Sequence, residues 1–177
     1  MLEAALLIAV VVVAASIIVT TLRTGIGPMP SSLAARKALV EVLPKDLEGP
    51  VYELGSGWGG LALAIARAAP RCQVIGVERS WVPLLWSRLR RRLSGASNCR
   101  FLWADFQQLP LGPAAAVVCY LFRGGMAKLS PKLLSELAPG TPVVSNTFAL
   151  EGWTPEACVV VKDLWNSRIY LYRRPAR

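Results

Sequence analysis

The amino-acid sequence predicts an α/β protein whose seven-stranded, mostly parallel sheet ends in an antiparallel hairpin, preceded by one N-terminal transmembrane helix. Short apolar runs alternate along the chain with segments of helical character, which is typical of a parallel sheet covered by helices on both faces. The last two apolar runs are joined by residues 163–167, too few for a crossover helix, so these strands should pair antiparallel. A long uncharged run stands at the N-terminus.

Local sequence signals define each element. Residues 25–32 are rich in glycine and proline and form a linker, and Ser31 or Ser32 caps the first helix. Helices are predicted near residues 33–43, 59–69, 81–93 and 126–137, and strands near residues 51–54, 73–78, 99–103, 115–121, 142–146, 157–162 and 168–172. The 177 residues thus divide into an anchor over 1–23, a linker over 24–32 and one domain over 33–177.

The N-terminal run, residues 4–22, has no charged side chain and is rich in Ala, Val and Ile. Its nineteen residues, at about 1.5 Å each, come close to the ~30 Å hydrocarbon layer, so we expect an anchor with the lipid bilayer as partner. A signal peptide is disfavoured because no basic residue precedes the run, and a buried helix because the run has no polar face. Arg23, Arg36 and Lys37 follow it, which predicts a single-pass membrane protein with the following domain on the cytoplasmic side of a bacterial or mitochondrial inner membrane.

The composition narrows the chemistry. The chain has 20 Lys and Arg against 11 Asp and Glu, so it should attract acidic partners or anionic head groups. The densest basic cluster, Arg88 with residues 90–92, is either a solvated helix face or a contact surface. The chain has no histidine, and its four cysteines form no C-x-x-C pair. This argues against a metal site, a disulfide scaffold and histidine-dependent nucleophilic catalysis.

A glycine-rich segment between the first strand and the second helix is the most informative feature. Residues 53–60 read Glu-Leu-Gly-Ser-Gly-Trp-Gly-Gly. Glycines such as Gly55 and Gly57 let the backbone adopt positive φ and approach a ligand closely, and the helix start offers free N–H groups. Glu78 ends the next strand, where its carboxylate can accept both hydroxyls of a ribose. The pattern predicts a site for a nucleoside-containing cofactor.

Two cofactors fit this loop. With Gly60, its glycines match the dinucleotide fingerprint G-x-G-x-x-G; with Glu53 and Gly59, they match the acidic-x-G-x-G-x-G loop of enzymes that use S-adenosyl-L-methionine (SAM). Glu53 suits a cationic amino-acid end but would sit badly beside a pyrophosphate, and Asp105 can accept from an adenine amino group. The domain is also too short for a dinucleotide-binding half plus a substrate domain. SAM is therefore the predicted cofactor.

Several segments, taken together, resemble one family. They occur in this order: Met29-Pro30-Ser31-Ser32, Glu53-Leu-Gly-Ser-Gly, Val77-Glu78-Arg79-Ser80-Trp81, Trp86-Ser87-Arg88, Ala104-Asp105-Phe106, Val143-Val-Ser-Asn-Thr-Phe148 and Trp153-Thr-Pro. The chain resembles the membrane-anchored protein-lysine methyltransferases of mitochondria, which act on the ADP/ATP carrier and on the ATP-synthase c-ring protein, together with their small archaeal relatives. The predicted strand plan is that of a class I, Rossmann-like methyltransferase.

The resemblance implies transfer of a methyl group from SAM to a lysine amine of a protein at or near the membrane. The residues assigned to cofactor binding are Glu53, Gly55, Ser56, Gly57, Gly59, Glu78, Asp105 and Phe106. We expect Tyr120 and Asn146 to line the acceptor channel as catalytic residues. Its wall would be formed by Pro30, Phe148 and Trp153, and no metal is expected. Ordinary structural roles remain open for several of them: a helix cap for Asp105, a turn for Asn146, and packing for Tyr120, Phe148 and Trp153.

Two departures from the family pattern leave alternatives open. Trp58 stands where the family usually has Asp, which keeps a catalytically degenerate, membrane-bound SAM-binding module under consideration. Gly124 and Gly125 follow the fourth strand, where relatives carry bulkier residues. A methyltransferase for RNA or a small molecule is the other alternative, supported by the basic composition. The acceptor motif of adenine-N6 and cytosine-N4 enzymes is absent, since the chain there reads Cys119-Tyr-Leu-Phe.

Overall fold

The computed structural model describes residues 1, 3, 4, 7, 10, 11, 13–15, 18 and 30–176. From residue 30 onwards the helices are α1 (Leu33–Val42), α2 (Gly60–Ala68), α3 (Trp81–Ser94) and α4 (Arg123–Glu136). The strands are β1 (Gly49–Leu54), β2 (Cys72–Glu78), β3 (Cys99–Trp103), β4 (Ala116–Cys119), β5 (Pro142–Asn146), β6 (Ala157–Val160) and β7 (Arg168–Arg173). The predicted alternation of strands and helices is confirmed.

The seven strands form one mixed sheet in the order β3-β2-β1-β4-β5-β7-β6. Strands β1 to β5 run parallel, whereas β7 pairs antiparallel with both β5 and β6. The predicted terminal hairpin is therefore confirmed. At the carboxyl end of β5, Asn146 lies opposite Ile169 near the start of β7. The turn between β6 and β7 consequently lies at the edge of the sheet where the parallel strands end.

Alternating side chains build a core on each face of the sheet. On one face, α1, α2 and α3 pack over Val51, Val74, Val118 and their neighbours. On the other face, α4 packs over a second set that includes Tyr52 and Val117. Because the central strands are covered on both sides, their sequences are almost continuously apolar. The exceptions are polar residues at the ends of these strands, and a functional site is expected at these ends.

The structure differs from the sequence expectation between β4 and α4. The strand ends at Cys119 rather than near residue 121, and the helix begins at Arg123, with the Met126 N–H donating to the Phe122 carbonyl at 2.8 Å. A Cβ on Gly124 would lie 2.7 Å from the Phe122 ring. The glycine therefore lets this ring fold over the first helical turn, and residues 120–122 form a loop at the carboxyl edge.

Within the part of the chain that the structure describes, no helix combines the length and the apolar character needed to cross a bilayer. A crossing takes about twenty apolar residues. The longest helices given above, α3 and α4, have 14 residues each, and α3 carries four arginines. This finding contradicts the predicted single-pass localisation. Much of the predicted anchor over residues 4–22, and the linker up to residue 29, lie outside the described residues.

The side chain of Asn98 joins the ends of three elements. Its Nδ2 donates to the carbonyl oxygens of Ala66, Ala69 and Cys72 at 3.0, 3.2 and 3.0 Å. Carbonyls at the end of a helix lack intrahelical donors, and Pro70 has no N–H to offer Ala66. Asn98 therefore fastens the end of α2 and the start of β2 to the start of β3.

We predict that Asn98→Ala lowers the free energy of unfolding by about 1–3 kcal/mol, because it removes the side-chain donor that joins the end of α2 to the start of β3, the donor to the Ala66 carbonyl above all. Urea denaturation followed by circular dichroism measures this change. Ser97→Ala, at the exposed neighbouring position, is the matched control and should stay within about 0.5 kcal/mol of the parent. Equal stability of the two variants would contradict the role given to Asn98.

Candidate functional site

The glycine-rich loop between β1 and α2 is held against the end of β2. Gly55, Gly57 and Gly59 have φ angles of 74°, 50° and 74°, a region that side chains other than glycine rarely adopt. The N–H groups of Gly55 and Ser56 both donate to the carbonyl of Val77, at 2.9 and 3.0 Å. The loop is thus fixed by backbone contacts, and of its three positive-φ glycines only Gly57 faces open space.

The aromatic ring of Phe101 supports this loop from the sheet side. A Cβ on Gly59 would lie 2.7 Å from the ring, and a Cβ on Gly76 would lie 2.5 Å from it. The ring therefore fills the space left by two glycines on different elements. Sequence reasoning did not identify Phe101 as a site residue. A glycine inside an apolar strand, as at Gly76, is the signal that marks such a close approach.

Glu78 connects the loop to the start of α3. Its Oε2 accepts a hydrogen bond from the Gly57 N–H at 2.8 Å, and its Oε1 accepts one from the Ser80 N–H at 2.7 Å. The side chain is buried. Each carboxylate oxygen retains a further lone pair, so Glu78 can still accept hydrogen bonds from ligand hydroxyl groups.

Glu53 is the other buried carboxyl at this site. Burial raises its pKa to about 8, against the opposing effect of the Ala62 N–H; the negative Glu78 adds to the rise and the positive Arg36 counteracts it. Among the described residues, neither Oε2 of Glu53 nor Oγ of Ser56 has a hydrogen-bond partner. Buried polar atoms are normally paired. These two unpaired atoms beside the loop indicate the position of a polar ligand.

The residues present fit SAM. Glu53 has a free, buried oxygen for the cationic amino-acid end, and Glu78 has lone pairs for the ribose hydroxyls. A glycine such as Gly57, with no heavy atom within 4 Å of its ideal Cβ position, leaves open space over the loop. The N-terminus of α2 adds a partial positive charge facing the same region.

Asp105 and Phe106 follow β3, on the side of the site where the adenine was expected. Oδ1 of Asp105 accepts from the Gln107 N–H at 3.0 Å, and Oδ2 accepts from Nη1 of Arg79 at 3.2 Å. Phe106 is half-buried and packs against the second core. Asp105 thus closes a turn and does not cap a helix, because no helix begins there, and its adenine contact stays a prediction.

Four of the residues predicted for the acceptor lie together at the ends of β4 and β5. The rings of Tyr120 and Phe148 stack with centroids 6.4 Å apart and planes inclined by 23°. Asn146 is 1% exposed, and its Nδ2 donates to Oγ of Ser31 at 3.1 Å. Pro30 directly precedes that serine, so the start of the domain lies at the same edge.

Trp153 lies deeper, in the second core. Its Nε1 donates to Oγ of Ser130 on α4 at 2.9 Å, and its ring meets Tyr172 edge-on at 6.1 Å between centroids. These are the contacts of a packing residue. Its predicted place in the channel wall stays a prediction.

Sequence reasoning missed two features of the acceptor edge, the carboxyl ends of β4 and β5 where Tyr120, Asn146 and Phe148 lie. Oγ of Ser32 donates to Oδ2 of Asp163 in the β6–β7 turn at 2.7 Å, a contact across 131 positions that no local pattern announces. Thr147, next to Asn146, has a φ of 66°. Such a conformation is rare for a β-branched residue and is concentrated at functional sites.

Trp58, the unusual residue of the glycine loop, contacts the protein through its backbone. Its carbonyl accepts a hydrogen bond from Nη1 of Arg90 on α3 at 3.1 Å. The side chain is partly exposed. The hydrogen bonds that hold the loop to β2 come from the N–H groups of Gly55, Ser56 and Gly57 and do not involve the Trp58 side chain.

Comparison with known proteins identifies the kind of enzyme. A protein-lysine N-methyltransferase of Saccharolobus islandicus (strain REY15A) is 28% identical over 152 residues, covering 82% of this chain and 90% of that protein. An ATP synthase C-subunit lysine N-methyltransferase of Rattus norvegicus is 28% identical over 109 residues, covering 61% of this chain and 50% of that protein. An RNA methyltransferase from Salinibacter ruber, solved with S-adenosyl-L-homocysteine, superposes with a TM-score of 0.75 at 28% identity, covering 84% of this chain and 95% of that one.

The predicted Rossmann-like methyltransferase fold, the enzyme class and SAM as cofactor are confirmed. The described residues do not show the membrane anchor that the resemblance implied. A family model described as the ANTKMT methyltransferase domain matches residues 53–157. Because this match spans more than half of the 177 residues, the chain belongs to the family of the ANTKMT methyltransferase domain.

Proposed function

We propose that the protein transfers a methyl group from SAM to the side-chain amine of a lysine in another protein. The observation that carries this proposal is the acceptor edge, where the stacked rings of Tyr120 and Phe148 adjoin the buried amide of Asn146. The two relatives described as lysine N-methyltransferases support the same acceptor.

On the donor side, SAM supplies an electrophilic methyl group on a positively charged sulfur. Glu53 would hold its amino-acid end, and Glu78 would accept from its ribose hydroxyls. The backbone of the glycine loop would close over the linking chain, since Gly55 and Gly57 carry no side chain there. Asp105 and Phe106 would border the adenine. All these groups act by position and charge rather than by exchanging protons with the donor.

On the acceptor side, the protein must deliver an uncharged amine in line with the methyl group. A lysine has a pKa of about 10.4 in water, and burial lowers it because the charged form is desolvated. The aromatic rings of Tyr120 and Phe148 would exclude water, and the carbonyl oxygen of the Asn146 side chain would orient the amine. Pro30 and Trp153 would border the same channel. Such a mechanism needs alignment more than a base, which suits a chain without histidine.

RNA is the second candidate acceptor. Trp81 and Trp103 form an exposed pair with ring centroids 4.5 Å apart, and Arg79 and the arginines of α3 lie nearby in sequence. Exposed aromatic rings beside cationic side chains suit stacked, unpaired bases. The similar solved structure from Salinibacter ruber, which is described as an RNA methyltransferase, favours the same candidate. This surface belongs to the β3 edge, whereas the acceptor cluster lies at β4 and β5, so the protein acceptor remains our proposal.

Transfer to lysine is tested with tritiated SAM, offered with a nuclease-treated cell lysate and, separately, with purified RNA. We expect the label in methylated lysine after acid hydrolysis. Asn146→Ala should reduce transfer by roughly 10- to 100-fold through lost alignment, while its affinity for SAM is retained. Gln73→Ala, at an exposed position of β2, is the control. Label recovered in RNA and absent from lysine would overturn the protein acceptor.

Removing the charge of Glu78 should weaken the binding of SAM. We expect Glu78→Gln to raise the dissociation constant by at least about tenfold, since a carboxylate accepts stronger hydrogen bonds than an amide. Isothermal titration calorimetry measures it. Glu41→Gln, on the exposed face of α1, is the control and should bind as the parent does. Unchanged affinity of Glu78→Gln would remove Glu78 from the donor site.

Binding of SAM near pH 7 should release protons from Glu53. With its pKa raised to about 8, this carboxyl is mostly protonated at pH 7 in the unliganded protein. A cationic ligand favours the ionised form and lowers the pKa, so the proton leaves on binding. Calorimetry in buffers of different ionisation enthalpy counts the protons released. Glu53→Gln should bind without this release, and an identical release from both proteins would show that Glu53 does not contact the ligand.

A further inference from the structure

Asp163 is the centre of a hydrogen-bond cluster in the turn between β6 and β7. Its Oδ1 accepts from the N–H groups of Trp165 and Ser167 at 3.2 and 2.9 Å, and its Oδ2 accepts from Oγ of Ser167 at 2.8 Å. These three contacts close the turn. The fourth, from Oγ of Ser32 at 2.7 Å, reaches the residue before α1.

The carboxylate in this cluster keeps its charge. Hydrogen bonds from the Ser167 N–H, and next from the Ser32 hydroxyl, lower the pKa of Asp163 to about 2. Hydrogen bonds to an ionised acceptor are shorter and stronger than those between neutral groups. The contact between Ser32 and Asp163 is therefore a charge-assisted hydrogen bond between the segment before α1 and the β6–β7 turn.

Further hydrogen bonds connect Ser31 and Ser32 with Asn146 at the end of β5. Oγ of Ser31 accepts from Nδ2 of Asn146 at 3.1 Å, and the carbonyl of Ser31 accepts from Nε of Arg36 at 3.0 Å. Oγ of Ser32 also accepts from the Ala35 N–H at 3.0 Å, which caps α1. The two serines are thus held by the β6–β7 turn, by β5 and by α1.

The other end of the Asn146 side chain is also held. Oγ1 of Thr147 donates to Oδ1 of Asn146 at 3.1 Å, and the Phe148 N–H donates to the main-chain carbonyl of Asn146 at 2.7 Å, which fixes the backbone at this turn. Thr147 makes this contact from the left-handed conformation described above. Strain of this kind persists where surrounding contacts over-determine a position, so the orientation of the Asn146 amide is maintained from two sides.

We propose that Asp163 is a positioning residue of the acceptor site: by holding Ser32 it places Ser31 so that the Ser31 hydroxyl fixes the amide of Asn146. Asp163 does not touch the reacting atoms. The inference rests on the proposed function in one respect, the role of Asn146 toward a lysine amine. The hydrogen bonds from Ser32 to Asp163 and from Asn146 to Ser31 do not depend on that role.

The kinetic test uses the full chain with Asp163→Asn, which keeps the shape of the side chain but replaces one accepting oxygen with a donor. We expect kcat/KM for the lysine acceptor to fall by about tenfold, while the dissociation constant of SAM stays within about twofold. Ser32→Ala should have a similar effect, and the double variant should be no worse than the more impaired single variant, because both substitutions break one chain of contacts. Glu156→Gln, on an exposed carboxylate before β6, is the matched control.

A second measurement separates this inference from the proposed function. The side-chain amide signals of Asn146, assigned with Asn146→Asp, are observed by two-dimensional NMR of the labelled protein. Asp163→Asn and Ser32→Ala should shift or broaden these signals, and Glu156→Gln should leave them in place. Unchanged signals, or a loss of SAM affinity equal to the loss of acceptor kcat/KM, would overturn the positioning role. A parent enzyme that methylates no lysine would refute the proposed function. The NMR result would still decide whether the hydrogen bond between Ser32 and Asp163 orients Asn146.

Discussion

The site depends on one contact, between the carboxylate of Glu78 and the N–H of Gly57. A loop of three residues with positive φ has little to stabilise it locally, because glycine loses more conformational freedom on folding than any other residue. The contact with Glu78, together with the two N–H groups donated to the Val77 carbonyl, fixes the loop from the strand beside it. Phe101 then fills the space beneath, which Gly76 and Gly59 leave free. The conformation of the glycine loop therefore depends on three strands: β1, which it follows, β2, which carries Val77 and Glu78, and β3, which carries Phe101.

The acceptor edge follows from a different constraint, the antiparallel insertion of β7 between β5 and β6. A seventh strand parallel to the others would have placed its preceding turn at the far edge of the sheet. Running antiparallel, it brings the turn that contains Asp163 to the carboxyl edge, where Asn146 ends β5. The segment before α1 reaches the same place and is held there by Ser31 and Ser32. The segment before α1 and the β6–β7 turn thus meet beside the acceptor cluster.

Sequence patterns predicted the elements well because each strand is a short apolar run bounded by glycine, proline or polar residues. They also singled out Glu53, the glycines and Glu78, which the structure brings together at the ends of β1 and β2, because these residues come at the ends of recognisable strands. They missed Phe101, which looks like any apolar strand residue, and Asp163, whose partner Ser32 is 131 positions away. They misjudged the end of β4, because the folding of the Phe122 ring over Gly124 is a tertiary contact. The positions of the strands can be predicted from local sequence patterns, whereas contacts between elements distant in sequence are found only in the structure.

The buried carboxyl of Glu53 connects stability with function. Its pKa is raised from an ordinary value of 4.5 to about 8, so between these values the unfolded chain is ionised there and the folded chain is not. The unfolded state binds fewer protons in this range, and the contribution of Glu53 to stability therefore falls as the pH rises toward 8. Replacing it with an apolar residue would remove this penalty, and with it the carboxylate that we propose to hold the cationic end of SAM. In the proposed function, Glu53 thus destabilises the protein until the positively charged ligand is bound, because ligand binding then stabilises the form in which the carboxylate is ionised.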